Sequence, residues 1–169
     1  STAHIPSKPF PIEVAAAREE VYDSNSRKPK KVVYTDLKGD LLRRDFTVNA
    51  MAMSLTPKEF GELHDPHHGV HDLLTKHLVT PLDPDETFSE DPLRMMRGAY
   101  FASCLGMHIG DKCYESMQRQ AERIQIVSQE RTTTEFTKIL ATDKPSIGLN
   151  ILQKTGLMKH IFPEIHVMY

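Results

Sequence analysis

At Pro81-Leu82-Asp83-Pro84-Asp85 the chain changes character, and that break limits what it can fold into. Two prolines within four positions cannot lie inside one continuous helix or strand, so the run reads as a linker. Before it, short alternating stretches are separated by polar, proline-containing text. From residue 89 onward the text is helical and rich in Met, Glu, Gln and Arg. A strand-containing part over residues 1–82 and an all-α part over 83–169 make this an α+β chain. With 39% hydrophobic and 26% charged residues, the composition is that of an ordinary soluble globular protein.

Within the first part, residues 1–11 carry Pro6, Pro9 and Pro11 and suit a loop or an irregular edge strand. Ile12, Val14 and Ala16 alternate with Glu13 and Ala15, which predicts a strand. Residues 17–22 read as a short turn or helix, 23–31 as an exposed basic loop, and 31–34 as a brief strand. Asp45 can cap a helix on which Phe46, Ala50 and Met53 share an apolar face. That places Arg43 and Arg44 just before a helix N-terminus, where backbone N–H groups favour anions, although paired arginines are common on any surface. Residues 60–63 predict another strand, and 77–79 one that closes the sheet. In the second part Asp111 caps a helix through Ile124, Ser128 one through about Leu140, and Ser146 begins a third that Gly156 ends.

The net charge of −2 neither demands nor forbids a polyanionic partner. Arg27, Lys28, Lys30 and Lys31 form one basic knot and Arg43 with Arg44 a second, suited to phosphates or to a solvated surface. Two cysteines without metal-ligand spacing, and no apolar run long enough to span a membrane, point to a reducing, cytoplasmic setting. His64, His67, His68 and His71 with Asp65 and Asp72 invite a metal reading, because His67 and His71 lie four apart. Pro66 and Gly69 interrupt any helix there and favour a turn.

The most informative stretch runs over residues 89–101. Asp91 can cap a first turn, Pro92 can take the first helical position, and Arg94 and Arg97 follow at steps of three. One carboxylate and two guanidinium groups then share adjacent turns. Taken alone, this is a capped helix with an internal salt bridge. It is also a hydrogen-bonding edge, because a carboxylate accepts and a guanidinium donates. Cytosine and adenine each place an amino donor beside a ring-nitrogen acceptor, whereas uracil and guanine present the reverse. An Asp/Arg pair can therefore accept C and A and refuse U and G.

Three blocks then line up in order. Arg43-Arg44-Asp45-Phe46-Thr47-Val48-Asn49-Ala50-Met51-Ala52 resembles the RRDFTxNAxA motif of class II nucleotidyltransferases, the bacterial CCA-adding enzymes and poly(A) polymerases. Gly61-Glu62-Leu63-His64-Asp65-Pro66, with Gly69, Asp72 and Leu73, resembles their G-x-x-x-DP-x-x-G-x-x-DL loop. Glu90-Asp91-Pro92-Leu93-Arg94-Met95-Met96-Arg97 is similar to their EDPLRxxR motif, and Glu130-Arg131 with Glu135 to an ER-x-x-x-E element of the neck. The resemblance implies the C-terminal part of a nucleotidyltransferase head over 1–82 and a helical nucleotide- and RNA-binding neck over 83–169. It implies CTP, ATP and tRNA as partners and Mg²⁺ as cofactor. Arg44 would contact the nucleotide's phosphate or ribose, Asp45 and Asn49 would shape that pocket, and Asp91 and Arg94 would read the base. Arg97 would support the base-reading pair or bind phosphate.

Two departures stand out. Tyr100 occupies a position where the family often has arginine, and an aromatic ring can stack on a base but cannot bind phosphate by charge. No GG-x-x-x-D segment or upstream DxD pair precedes Arg18, and Asp83-Pro84-Asp85 has only the bare spelling, in a turn. The 169 residues, which begin with Ser1, therefore read as a fragment of an RNA nucleotidyltransferase. Rival readings are a poly(A) polymerase, a degenerate RNA- or nucleotide-binding homologue, and a histidine-cluster metal protein. In-line nucleotidyl transfer needs metal-bound carboxylates. The purified chain is thus expected to be inactive; transfer of radiolabelled CMP to tRNA in the presence of Mg²⁺ would contradict this.

Overall fold

The computed structural model describes residues 2–23 and 26–168, and at residues 2 and 18–33 the backbone alone. The basic knot of Arg27, Lys28, Lys30 and Lys31 therefore lies outside the described side chains. Two antiparallel hairpins open the chain. Strand β1 (Thr2–Ile5) pairs with β2 (Ile12–Ala15), and β3 (Arg18–Asp23) with β4 (Ser26–Tyr34). Residues 18–23 and 26–34 are thus strands, correcting the turn-or-helix and loop expectations, and the brief strand expected over 31–34 falls within β4. Val21, Val32, Val33 and Tyr34 carry the strand preference. Pro29 is tolerated because β4 pairs along one side only in a two-stranded sheet.

Helix α1 (Leu37–Leu42) begins where the Asp36 carboxylate accepts the Gly39 N–H at 2.8 Å. The two arginines therefore follow a helix rather than precede one, and both pair back to Asp40, at 3.7 Å for Arg43 and 3.1 Å for Arg44. The helix expected from Asp45 is replaced by a 3-10 turn over Thr47–Asn49 and a short strand, β5 (Ala52–Met53). Asp45 does not cap it, because its Oδ1 accepts from Phe46 N–H and Asn49 Nδ2 and its Oδ2 from Arg97. Strand β6 (Leu63–His64) pairs with β5, which leaves Phe60 in the turn before it, outside the strand expected over 60–63.

Asp65 accepts the Gly69 and Val70 N–H groups at 2.6 and 2.9 Å, starting α2 (Gly69–Thr75). A Cβ at position 69 would lie 2.2 Å from the Thr47 carbonyl oxygen, so glycine lets this helix abut the 3-10 turn. Strand β7 (His77–Leu78) pairs in parallel with β8 (His108–Ile109), across the Pro81–Asp85 run, instead of closing a sheet of the first part. The linker itself is half helix. Asp83 accepts the Asp85 N–H at 2.8 Å, Pro84 takes the first position, and α3 (Pro84–Glu90) follows.

The helices of the second part are α4 (Leu93–Leu105), α5 (Asp111–Gln120), α6 (Gln129–Leu140), α7 (Pro145–Lys154), α8 (Leu157–Ile161) and α9 (Pro163–His166). Those predicted from Ser128 and Ser146 form close to their expected bounds, with Gly156 left-handed at φ 82° after α7. The helix predicted from Asp111 becomes 3-10 after Gln120.

Helix α4 is the centre. Met95, Met96, Ala99 and Ala102 are fully buried against α6 and α7, each large apolar side chain stabilising the fold by about 1.5–3 kcal/mol. Phe46 enters the same core from the first part and meets Phe101 edge to face, with ring centroids 6.0 Å apart. Gly148 on α7 lets that helix close on α4. A Cβ there would stand 2.6 Å from Ser103 Oγ and 2.7 Å from Ile139 Cγ2. Gly148→Ala is accordingly expected to destabilise the chain by about 1–3 kcal/mol in urea titrations despite alanine's higher helix propensity.

Candidate nucleotide-binding site

A cavity of about 820 Å³ lies where the first part meets the helices. Ala15–Ala17, Leu37, Asp40, Arg43, Arg44 and Asp45 form one side. Asp91, Leu93, Arg94 and Arg97 of the α4 region form the second, and Glu130, Arg131, Thr134 and Glu135 of α6 the third. Five of the six predicted residues, Arg44, Asp45, Asp91, Arg94 and Arg97, therefore share one cavity. Asn49 is not in its wall. It stands behind Asp45 and donates to Asp45 Oδ1 at 3.2 Å.

Asp91 has extended backbone, and its Oδ1 accepts the Leu93 N–H at 3.2 Å, so it caps the turn that starts α4. Its Oδ2 accepts from Arg131 Nη2 at 3.0 Å. Each carboxylate oxygen can accept more than one hydrogen bond, so acceptor capacity remains on the cavity side. Arg94 is oriented by three acceptors. Nη1 donates to Thr87 O at 3.2 Å and Glu90 Oε2 at 3.1 Å, and Nη2 donates to Arg43 O at 2.7 Å. These bonds use three of the five guanidinium N–H groups, leaving donors at Nε and Nη2. An acceptor and a donor, each fixed by protein contacts, therefore stand three residues apart on one wall.

Arg97 Nε donates to Asp45 Oδ2 at 2.6 Å, and its guanidinium lies over the Phe101 ring, 5.3 Å from the centroid. Arg44 is the more exposed arginine, held by Asp40 alone among its described partners. Around the cavity, Arg43, Arg44, Arg94, Arg97 and Arg131 are balanced by Asp40, Asp45, Asp91, Glu130 and Glu135. The site is an array of ion pairs, not a bare cationic patch.

Sequence reasoning assigned no role to Arg131, Glu135, Glu90 or Asp40. The i,i+4 spacings Asp40/Arg44 and Glu90/Arg94 were available signals. The Arg131–Asp91 contact spans 40 positions, and only the ER-x-x-x-E resemblance marked Arg131 and Glu135. Tyr100 is not in the cavity. It lies against Phe101, and a hydrogen bond with Cys104 raises its phenol above the ordinary range.

In the histidine-rich loop, Asp72 Oδ2 accepts from Thr47 Oγ1 at 2.6 Å, and Asp65 is occupied as a cap. Burial pushes the His67 imidazole below its ordinary value, against the opposing pull of Asp65. Among the described residues no three His, Cys, Asp or Glu side chains converge to hold a metal. Asp85 is bound by Ser116, Arg119 and Gln120, which hold its carboxyl below the usual range. The Asp-Pro-Asp spelling is thus a helix start and does not fit a metal pair.

Comparison with known proteins places the fold. The poly A polymerase head domain family matches residues 1–79, and the probable RNA and SrmB- binding site of polymerase A matches residues 106–169. A CCA-adding enzyme of Anoxybacillus flavithermus is 38% identical over 154 residues, covering 90% of this chain and 38% of the relative. The crystal structure of the Bacillus stearothermophilus CCA-adding enzyme in complex with CTP superposes with a TM-score of 0.79 at 30% identity, over 92% of this chain and 36% of that one. A tRNA nucleotidyltransferase complexed with a primer tRNA and an incoming ATP analog gives 0.81 at 28% identity, over 95% and 44%. The α+β fold is that of the head and helical neck of such enzymes. The chain belongs to the nucleotidyltransferase family of CCA-adding enzymes and poly(A) polymerases, and it spans about two-fifths of the length of the relatives it matches.

Burial raises the Glu90 carboxyl above its ordinary range, against the opposing pull of Arg94. A raised folded-state value means that Glu90 binds its proton more readily folded than unfolded. Its contribution is then full at low pH and is lost as pH rises through the raised value. Denaturant titrations should show the wild-type chain gaining stability relative to Glu90→Gln as pH falls from neutral toward the ordinary glutamate range.

Proposed function

We propose that this chain is the nucleotide-selecting portion of a tRNA nucleotidyltransferase of the CCA-adding type, which adds CMP and AMP from CTP and ATP to a tRNA 3′ end. Residues 1–82 belong to the head and 83–169 to the neck. The observation that carries this reading is the fixed acceptor–donor edge of Asp91 and Arg94 in a cavity that also holds Arg44 and Arg97. That edge complements the amino group and ring nitrogen of cytosine or adenine, and it opposes uracil and guanine.

Arg44 and Arg97 suit the phosphates or ribose, with Asp45, steadied by Asn49, beside them. The CCA-adding reading is favoured over poly(A) addition because the relatives above are CCA-adding enzymes. Enzymes of this family generally use metal ions, and we assign Mg²⁺ to that role. Arg44, Asp45, Asp91, Arg94 and Arg97 line the cavity, and we assign them binding and selection. No described helix is long and apolar enough to cross a membrane, and the two free cysteines suit a reducing cytoplasmic setting.

Calorimetric titration with CTP, ATP, UTP and GTP tests the reading. The wild-type chain should prefer CTP and ATP. Asp91→Ala or Arg94→Ala should reduce that preference by about 1–3 kcal/mol, since each leaves a partner unpaired. Arg44→Ala should weaken all four nucleotides alike. Equal binding of all four by the wild type, or unchanged preference in both edge variants, would refute the base-reading assignment.

A further inference from the structure

One charged group in the cavity wall keeps an oxygen without a hydrogen-bond partner among the described residues. Glu135, on α6, is about 95% buried. Its Oε1 accepts from Lys138 Nζ at 2.7 Å, but Oε2 is buried with no hydrogen-bond partner among the described residues. Lys138 balances the charge without satisfying that oxygen's geometry, and a buried acceptor left without a donor is costly.

Its position says what can fill the gap. Helices α4 and α6 run side by side in the same direction. Arg131 is level with Asp91, while Lys138 and Ala141 line a small recess with Tyr100 and Cys104. Glu135 follows Arg131 by four residues on the same face, one turn deeper than the Asp91–Arg131 pair. Arg131 and Arg97, which share this wall, give hydrogen bonds to Asp91 and Asp45, and neither reaches Oε2. Glu135 also lines the cavity, where a bound ligand would stand as a source of donors.

We propose that Glu135 Oε2 accepts a hydrogen bond from an N–H or O–H group of the bound nucleotide, an inference that rests on the nucleotide-binding reading above. Glu135 is then a specificity-determining residue beyond the Asp91/Arg94 edge. Two parts of a nucleotide supply this chemistry, the amino group of the base and the hydroxyl groups of the ribose.

Glu135→Gln is the informative change. Lys138 can only donate, so it holds the amide oxygen, and the amide NH₂ takes the place of Oε2. A donor then meets the ligand's donor. Titration of wild-type and Glu135→Gln chains with CTP, UTP and 2′,3′-dideoxy-CTP should show CTP binding weakened about tenfold or more in the variant. If the base amino group is the donor, the variant's preference for CTP over UTP collapses and its preference for CTP over dideoxy-CTP persists. If a ribose hydroxyl is the donor, the two preferences exchange behaviour.

Unchanged CTP affinity in Glu135→Gln, with wild-type selection intact, would show that solvent satisfies Oε2 and would overturn the inference while leaving the base-reading edge standing. A wild-type chain that binds no CTP would overturn both. Should Glu135→Gln fail to fold, judged by its thermal melt, the unmodified chain decides. A ¹³C-carboxyl glutamate signal for Glu135 should shift on saturation with CTP, and an unmoved signal would overturn the proposal.

Discussion

The contact between Arg97 Nε and Asp45 Oδ2, at 2.6 Å, joins the two parts of the chain, and much of the architecture follows from it. Asp45 is nearly buried, so its charge requires a partner, and the partner comes from 52 residues away on α4. With the carboxylate turned to α4, the next residue, Phe46, points into the helical core against Phe101 and over Gly98. Asn49 and the Phe46 N–H fix the other oxygen. Removing one member would leave a buried, uncompensated charge at a cost of several kcal/mol, reduced here because Arg97 is about one-third exposed.

With Asp45 and Phe46 anchored, Arg43 is held above the start of α4, and its carbonyl oxygen receives Arg94 Nη2 at 2.7 Å. Thr87 and Glu90 of α3 supply the remaining acceptors for that guanidinium. Two segments, one distant in sequence and one separated from α4 by a helix break, thus fix one side chain. Asp91 has similar support from its own turn and from α6. A side chain with this many fixed partners loses little further freedom on meeting a ligand, which is the physical content of a preorganised edge.

What the sequence disclosed and what it hid follow from the range of the interactions. The helices after Ser128 and Ser146 are governed by local caps and periodicity, and their bounds were readable. Only the end of this first-part hairpin, the strand over 31–34, is legible; β3 and the first part of β4 are not, because charged, proline-containing text becomes extended only when paired with a partner. The helix expected after Asp45 failed because the supposed cap was drawn away by Arg97, a contact no local window contains. The same holds within the cavity. Asp91, Arg94 and Arg97 lie at and just after one helix start and were legible together, whereas Arg131 and Glu135 enter from a helix whose position only the packed core decides.

The balance of charge around the cavity separates two tasks that arginine alone would merge. Arg94 keeps its orientation through buried acceptors, two of them backbone carbonyls that no anion can displace by charge. Arg44, by contrast, is half-exposed and rests on the largely covered Asp40, a pair worth about 1 kcal/mol or less. A phosphate arriving at Arg44 replaces one carboxylate with another anion at little cost. A base arriving at Asp91 and Arg94 in the proposed function meets groups already held by two and three hydrogen-bond partners, respectively. In the proposed function, affinity therefore comes from the soft side of the cavity and selectivity from the rigid side, because a mismatched base cannot be accommodated by rearranging partners that are already held.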